Sequence, residues 1–385
     1  MLVIHIALTP LAGAPIRIVN AINAHAVGYQ ARLIVLEKDT FSYGNRKYPE
    51  DLFFDKNYEE SLKLISEADI VHFHHFFDVE SDENPFAINF KEKTKVAAFF
   101  VRHFHTNLES IISWSGNDKT RELIENDPFP KLVVPHCGER YLLNAHIVPN
   151  IIPCNDILYQ SLDDNGDDIP VVFFSSTSSH NPYKERWETK GKKEVLYVLK
   201  MLENQGLCKL RFVENKPYEE CLELKRSSDI IIGDLFTGSY HLTELESVSM
   251  GKPTLCFIDG RTQLALTTLT GCDKIPFVNV GIENLVDVMI RLCGDKKLRQ
   301  NISQYSRKWV EKYYNDRQMI QKYCDAYNNI LKKVSLNNKS SEDLIAEDFL
   351  YREVYDIRWR LRKKIFSLHR KWPYKMFCKF FKFNQ

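Results

Sequence analysis

The stretch SDIIIGDLFTGSYHLTELESVSMGKPTLCFID, residues 228–259, holds a complete structural sentence. An unbroken apolar run (Ile230–Ile232) leads into a polar loop containing Gly238. Leu242–Met250 then reads as a helix, and Gly251 followed by Pro253 supplies the usual stop. A second apolar run, KPTLCFID, follows at once. Two buried strands joined through a helix form a βαβ unit, which implies a parallel sheet. The same alternation surrounds it: IPVVFFSS as a strand, Lys192–Gln205 as a helix, CKLRFVE as a strand, Tyr218–Ser228 as a helix, and a helical region over 283–333. The first half repeats the plan with VIHIAL, a helix from Pro15 to Ala26, ARLIVLE, a helical stretch over Glu59–Glu67, then DIVHFH and VAAFFV. HIVPNIIPCND and DDNGDDIP interrupt the pattern, which places a linker at 149–169. The expectation is an α/β protein of two doubly wound Rossmann-like domains, 1–150 and 170–333, with an appendage at 334–385.

The 385 residues are 44% hydrophobic and 27% charged, enough to bury a core in each half. No apolar run approaches the roughly 18 residues that cross a bilayer. MLVIHIALTPLAG lacks a basic n-region and reads as a first strand, not a signal peptide. The nine cysteines include no CxxC pair, so neither a disulfide framework nor a zinc site is signalled, and a reducing cytoplasmic setting is expected. The net charge of +1 hides an asymmetry: residues 351–385 carry eleven Lys/Arg against Glu353 and Asp356, leaving residues 1–350 at −8.

Doubly wound sheets take ligands at the carboxyl ends of their strands. Three loops there carry chemistry. TPLAGAPIR presents Gly13 between strand and helix, either to approach a ligand or simply to turn. It is not GxGxxG, and no P-loop occurs, which argues against dinucleotide dehydrogenases and P-loop NTPases. The loop SSTSSHNPYKERWETKGKKE gathers Lys184, Arg186, Lys190, Lys192 and Lys193, with Gly191 at a helix entry. Cations beside a helix N-terminus suit a phosphate, though a solvated charge run reads the same way. In FTGSYHLTELESVSMGKP, Thr243 lies in a first helical turn, where backbone N–H groups suit a diphosphate. Glu246 lies one turn on, placed to accept from a ribose diol. Glu244 reads instead as an acid steadying a positive helix end. In DIVHFHHF, His72 and His74 share one strand face and His75 the other. No third ligand is evident nearby, so no metal is assigned. His103 and His105 close the strand VAAFFV.

Taken together these features resemble a known family. ELESVSMGKPTLCF is similar to the E-A-M-A-x-G-x-P-V segment of retaining glycosyltransferases of the GT-B fold, of the glycosyl-transferases group 1 or family-four type. VPNIIP resembles their interdomain V-P-N motif, Lys190–Gly191 their lysine–glycine pair, and GAPIRIVNAINAH their first loop and helix. WVEKYYNDRQMIQKYCDAYNNILKK is similar to their closing helix. The resemblance spans residues 1–333. It implies two domains facing a cleft and a metal-independent transfer of sugar, with retention, from a nucleotide sugar that serves as substrate, with no cofactor. By it, Lys190 and Arg186 hold the diphosphate, Tyr240, His241, Leu242 and Thr243 bracket the donor, and Glu246 holds the ribose. HTNLES resembles an H-G-x-D-x-R segment, which makes His105 the acceptor-side residue that touches the transferred sugar or moves a proton, beside His103 and Gly13.

One departure stands out. The family often carries a glutamate eight positions before the residue matching Glu246, and here that position is Gly238, with His241 a partial substitute. A nucleotide-sugar epimerase and a catalytically silent sugar-nucleotide-binding subunit are therefore the competing readings. In the tail, Leu350, Val354, Ile357, Leu361, Ile365 and Leu368 trace an apolar stripe, with basic residues off it and KWPYKMFCKFFKF beyond. That suits the inner face of an anionic membrane, each basic residue contributing about 1 kcal/mol. Intramolecular packing or a dimer contact is the alternative, and nucleic acid is not expected, since the two domains are acidic. A lipid-linked or glycan acceptor in cell-surface polysaccharide synthesis follows from that location. Deleting 345–385 is expected to abolish sedimentation with anionic liposomes, and unchanged sedimentation would contradict the membrane reading.

Overall fold

The computed structural model describes residues 1–36, 52–106, 111, 120–135, 142, 145–160, 162, 169–176, 190–214 and 216–332. The basic tail, residues 177–189 with Lys184 and Arg186, and the acidic run 163–168 lie outside the described residues.

Residues 1–332 form one compact unit built on two parallel sheets. The first contains β1 (Leu2–Ala7), β2 (Gln30–Val35), β3 (Leu52–Phe53), β4 (Ile70–Phe73), β5 (Phe99–Phe104), β6 (Lys131–Val133) and β7 (His146–Ile147), in the order β3-β2-β1-β4-β5-β6-β7. The second contains β8 (Val171–Ser175), β9 (Lys209–Val213), β10 (Ile230–Ile232), β11 (Thr254–Cys256) and β12 (Val278–Asn279), in the order β12-β11-β10-β8-β9. The helices are α1 (Ala14–His25), α2 (Tyr58–Glu67), α3 (Phe90–Lys93), α4 (Thr120–Asn126), α5 (Lys192–Asn204), α6 (Tyr218–Arg226), α7 (Leu242–Ser249), α8 (Gly260–Thr270), α9 (Leu285–Gly294), α10 (Lys296–Tyr313) and α11 (Asp316–Leu331). The α/β, doubly wound class read from the sequence holds for both sheets.

The strands are near-continuous apolar runs because helices cover both sheet faces. On one face of the second sheet, Val172, Phe174, Ile230 and Ile232 meet Val195 and Leu199 of α5 and Met289 of α9. On the first sheet, Ile4, Ile6 and Val71 pack toward Ile65 of α2 and Phe90 of α3. Its other face joins Ile16 and Ile22 of α1 with Tyr323 and Tyr327 of α11, in a core that continues to Leu245 of α7 and Trp309 of α10. Gly251 (φ 65°) ends α7, its N–H bonding back to the Val248 carbonyl.

The structure corrects one detail of the sequence reading and sharpens two others. The strand expected at 96–101 runs instead over Phe99–Phe104, and Val96 is fully exposed. Arg102 made the run look as if it had left the sheet. Its guanidinium is buried because it donates to Asp127 Oδ2 from Nε at 3.1 Å and Nη2 at 2.9 Å, and it lies against the rings of Phe73, Phe76 and Phe129. The helical region over 283–333 is three helices, restarted where Asp295 and Asn315 accept from the N–H groups of Leu298 and Gln318. The described part of the linker expected at 149–169 is packed, with Ile151, Ile152, Cys154 and Tyr159 buried.

Helix α11 belongs to the end of the chain yet packs on the first sheet. Tyr29 Oη donates to Asn328 at 2.9 Å, and Tyr323 Oη donates to the Pro149 carbonyl at 2.9 Å. Asn315→Ala should remove the cap that starts this helix and lower stability by about 1 kcal/mol, measured as a shift in urea unfolding.

Candidate functional site

In each sheet the strand order reverses at one point, and loops diverging there open a crevice. In the first sheet the reversal lies between β1 and β4, and in the second between β8 and β10. The residues singled out from the sequence gather at these two places.

At the second switch point, Lys190 and Gly191 precede α5 while Gly233–His241 leads from β10 into α7. Lys190 (φ 53°) and Gly191 (φ 63°) both adopt left-handed backbone, and a Cβ on Gly191 would collide with the Phe236 ring. Glycine is therefore required where the two loops touch. Lys190 Nζ lies 3.3 Å from Glu244 Oε1, so the lysine and the start of α7 do meet. Glu244 is fully buried and accepts from the N–H groups of Asp234 at 3.0 Å and His241 at 2.8 Å. Burial by itself would raise its pKa, but Lys190 and His241 hold it below the ordinary value against the neighbouring Asp234. It steadies the helix entrance. His241 Nε2 is 3.1 Å from Asp234 Oδ2, whose other oxygen accepts from the N–H groups of Phe236 and Thr237. Tyr240 is buried and stacks on Phe277, while Leu242 and Thr243 are half-buried.

Glu246 has a more crowded setting. Its Oε1 accepts from Tyr218 Oη at 2.6 Å and Arg17 Nη2 at 3.1 Å, and its Oε2 accepts from Lys225 Nζ at 2.7 Å. Arg17 stands on α1, beneath the first sheet's switch loop, so the contact joins the two sheets' helices. Tyr159 accepts from the same Arg17 nitrogen at 2.9 Å, and Lys225 also donates to Thr243 Oγ1 at 2.8 Å. Burial opposes the charge on Glu246, yet Lys225, Arg17 and the Tyr218 hydroxyl outweigh it and bring the pKa down to about 2. Neither Arg17, Tyr218 nor Lys225 was selected from the sequence. Only topology brings residues 17, 218, 225 and 246 together.

Gly238 (φ 76°) takes a left-handed conformation, and a Cβ there would stand 2.8 Å from Asp259 Oδ2. A carboxylate from the start of α8 thus reaches the place where a side chain at 238 would begin, and Asp259 Oδ1 caps α8 by accepting from Thr262 N–H at 2.8 Å. Sequence reading passed over Asp259 because it is 21 residues beyond Gly238.

At the first switch point, the loop after β1 is strained: Leu11, Ala12 and Gly13 have φ of 46°, 52° and 80°. Positive φ at two residues that are not glycine is a costly arrangement of the kind found at binding loops. Beside it, β1, β4 and β5 bring together His5, His72, His74, His103 and His105. Ring centroids are 4.4 Å apart for His5–His72, 4.5 Å for His72–His74, and 3.9 Å for His103–His105. His74 links two neighbours, 2.8 Å from His5 Nδ1 through Nε2 and 2.8 Å from His105 Nε2 through Nδ1. Burial pushes His5 and His105 down to about 3 and the other three well below the ordinary value, with adjacent imidazoles adding to the effect. His105 therefore stays neutral near pH 7. It can hydrogen-bond a sugar hydroxyl, but it holds a proton too weakly to serve there as a base.

Comparison with solved structures yields clear matches. The chain superposes on an alpha-glucosyltransferase in complex with UDP with a TM-score of 0.58 at 11% identity, covering 86% of this chain and 99% of that one. An alpha-glucosyltransferase in complex with UDP-glucose and DNA containing an abasic site gives 0.58 at 12% identity, covering 84% and 98%. HepE of Anabaena in complex with UDP gives 0.54 at 12% identity, covering 86% and 100%. The chain has the GT-B fold. Neither family models nor curated sequences give a match. At these identities the likeness establishes architecture, and the side chains described above must carry any statement about chemistry.

The Glu246 network has a measurable signature in acid. Its folded pKa of about 2 lies below the model-peptide value of 4.5, so its stabilisation is present above that value and is lost as pH falls. From about pH 5 to about pH 3, wild type should lose about 2 kcal/mol that Glu246→Gln does not lose, read from urea unfolding at each pH.

Proposed function

We propose that this protein is a nucleotide-sugar-dependent glycosyltransferase. The observation that carries the reading is the meeting of Lys190–Gly191 with the entrance of α7 at the second sheet's switch point, in a chain whose fold is shared with proteins in complex with UDP or UDP-glucose. Lys190 offers a cation beside the backbone N–H groups of the first turn of α7, and Arg186, four residues earlier in the sequence and outside the described residues, is assigned the same role. Charge fixed in place stabilises a departing diphosphate without reorganisation at the moment of bond cleavage. His241, oriented by Asp234, and Asp259 beside Gly238 supply polar groups for a sugar. In the donor complex Glu246 accepts from the ribose diol and Arg17 withdraws from it. His105, with His103 and Gly13 at the first switch point, serves the acceptor side. Transfer with retention and a lipid-linked or glycan acceptor belong to the same proposal, as does peripheral attachment to the inner membrane face through 345–385.

Nucleic acid was not expected as a partner. One protein of this fold is in complex with UDP-glucose and DNA, so DNA belongs among the acceptors tested. The silent-subunit reading draws on two features: Gly238 itself, and the engagement of Glu246 by Arg17, Tyr218 and Lys225.

The test is release of nucleoside diphosphate from UDP-, GDP-, ADP- and CDP-sugars, with and without glycan, lipid-linked and DNA acceptors. Acceptor-dependent release with one donor is expected. Conversion of donor to an isomer without acceptor would indicate the epimerase, and binding without turnover the silent subunit. Lys190→Ala should weaken diphosphate binding by about tenfold or more, because a charge-assisted hydrogen bond contributes about 1.5–3 kcal/mol. Unchanged affinity in calorimetry would contradict the role given to Lys190.

A further inference from the structure

The five-histidine cluster is more than a neutral packing element. His5 Nε2, His72 Nε2, His105 Nδ1 and both nitrogens of His103 are buried with no hydrogen-bond partner among the described residues. A buried polar atom without a partner forfeits about 1–3 kcal/mol, so so many at one place call for an additional group that binds them. An imidazole lone pair bonds a proton donor or a metal ion. Two sets of three, His5–His72–His74 and His74–His103–His105, each place one nitrogen per ring within 4.8 Å of the others.

We propose that His74, His103 and His105 bind one divalent transition-metal ion, Zn²⁺ or a borderline ion of similar preference. Three observations select this set over the other. His103 is the ring with both nitrogens unpartnered, and it is 1% exposed. His105 is half-buried and so the nearest of these rings to solvent, whereas His5, His72 and His74 are all buried. His5 completes the arrangement from behind. When His74 coordinates through Nδ1, its Nε2–H donates to His5 Nδ1, 2.8 Å away, and that fixes the tautomer as outer partners do for metal-bound imidazoles.

The ligand set determines the kind of ion. Neutral imidazoles with no carboxylate suit Zn²⁺, Co²⁺, Ni²⁺ or Cu²⁺ and disfavour Mg²⁺ and Ca²⁺, which require oxygen ligands. Bonds of roughly 2.0–2.1 Å in a tetrahedral site put ligand nitrogens roughly 3.3 Å apart. The His74–His105 pair, at 2.8 Å, must open by about half an ångström while His103 closes in. His74 belongs to both sets and has one lone pair when neutral, so the stoichiometry is one ion per chain. The ion would tie β4 to β5 at the first switch point. Two of the three ligands, His103 and His105, are shared with the acceptor side of the proposed function, and metal binding is read without any transfer assay.

The test uses the full chain, freed of metal by a chelator, titrated with Co²⁺ alone and followed by its ligand-field absorption, then by competition with Zn²⁺. One saturable equivalent with a nitrogen-ligand spectrum is expected, displaced by Zn²⁺ and accompanied by a higher melting temperature. His74→Gln and His105→Gln should each weaken binding at least tenfold, while His25→Gln, outside the cluster, leaves it unchanged. Should His74→Gln fail to fold, the half-buried His105→Gln decides with the wild-type stoichiometry. Absence of saturable binding to wild type, or equal binding by wild type and His105→Gln, overturns the proposal.

Discussion

A buried ion network holds the molecule's two halves in register. Arg17 on α1, Lys225 on α6 and Glu246 on α7 lie almost wholly out of water, with Tyr159 and Tyr218 completing the hydrogen bonds around them. Removing one partner from such a set leaves a buried charge uncompensated, which costs about 3–5 kcal/mol. Replacement of the whole set by apolar residues would cost far less, so the network fixes geometry more than it adds stability. It joins α1 beside the first sheet to α6 and α7 beside the second.

The two switch points differ in chemistry. At the second, carboxylates are engaged by neighbours: Asp234 lies in hydrogen-bonding contact with His241, and Glu244 pairs with Lys190. Lys190 is paired with Glu244, so an incoming diphosphate must compete with Glu244 for the lysine. That exchange is favourable only with further cations, and Lys184 and Arg186 precede Lys190 in the sequence. Among the described residues, the first switch point shows no Asp or Glu paired with a cation in the loop after β1 or in the histidine cluster. Its polar content is imidazole, kept neutral by burial, beside a loop with three consecutive positive φ angles.

Much of the fold was legible because buried parallel strands are written as continuous apolar runs, and because glycine and proline punctuate helices in a fixed order. Gly251 and Pro253 ended α7 where the sequence indicated. Legibility failed where a buried strand contained charge. Arg102 disguised β5 because its partner, Asp127, lies 25 residues further on, and two-residue strands such as β3 and β7 carry too little pattern to be seen. The site was legible in part. Lys190 and the start of α7 were each visible as loop features. The partners of Glu246 were not, since an arginine at position 17 on an amphipathic helix looks like a solvated residue. The histidine cluster shows the limit most plainly: His72 and His74 were seen as a pair, but His5 and His103 join them only through the strand order β1-β4-β5, which no local spacing encodes.

The central claim is that the entrance of α7 and the Lys190 loop grip a nucleotide's diphosphate while Glu246 exchanges Arg17 for the ribose. A crystal structure of the protein with UDP measures this directly. The account predicts phosphate oxygens within hydrogen-bonding distance of Lys190 Nζ and the first-turn amides of α7, with the ribose hydroxyls on Glu246 and Arg17 moved away. A nucleotide seated elsewhere, with the Arg17–Glu246 contact intact, would contradict it.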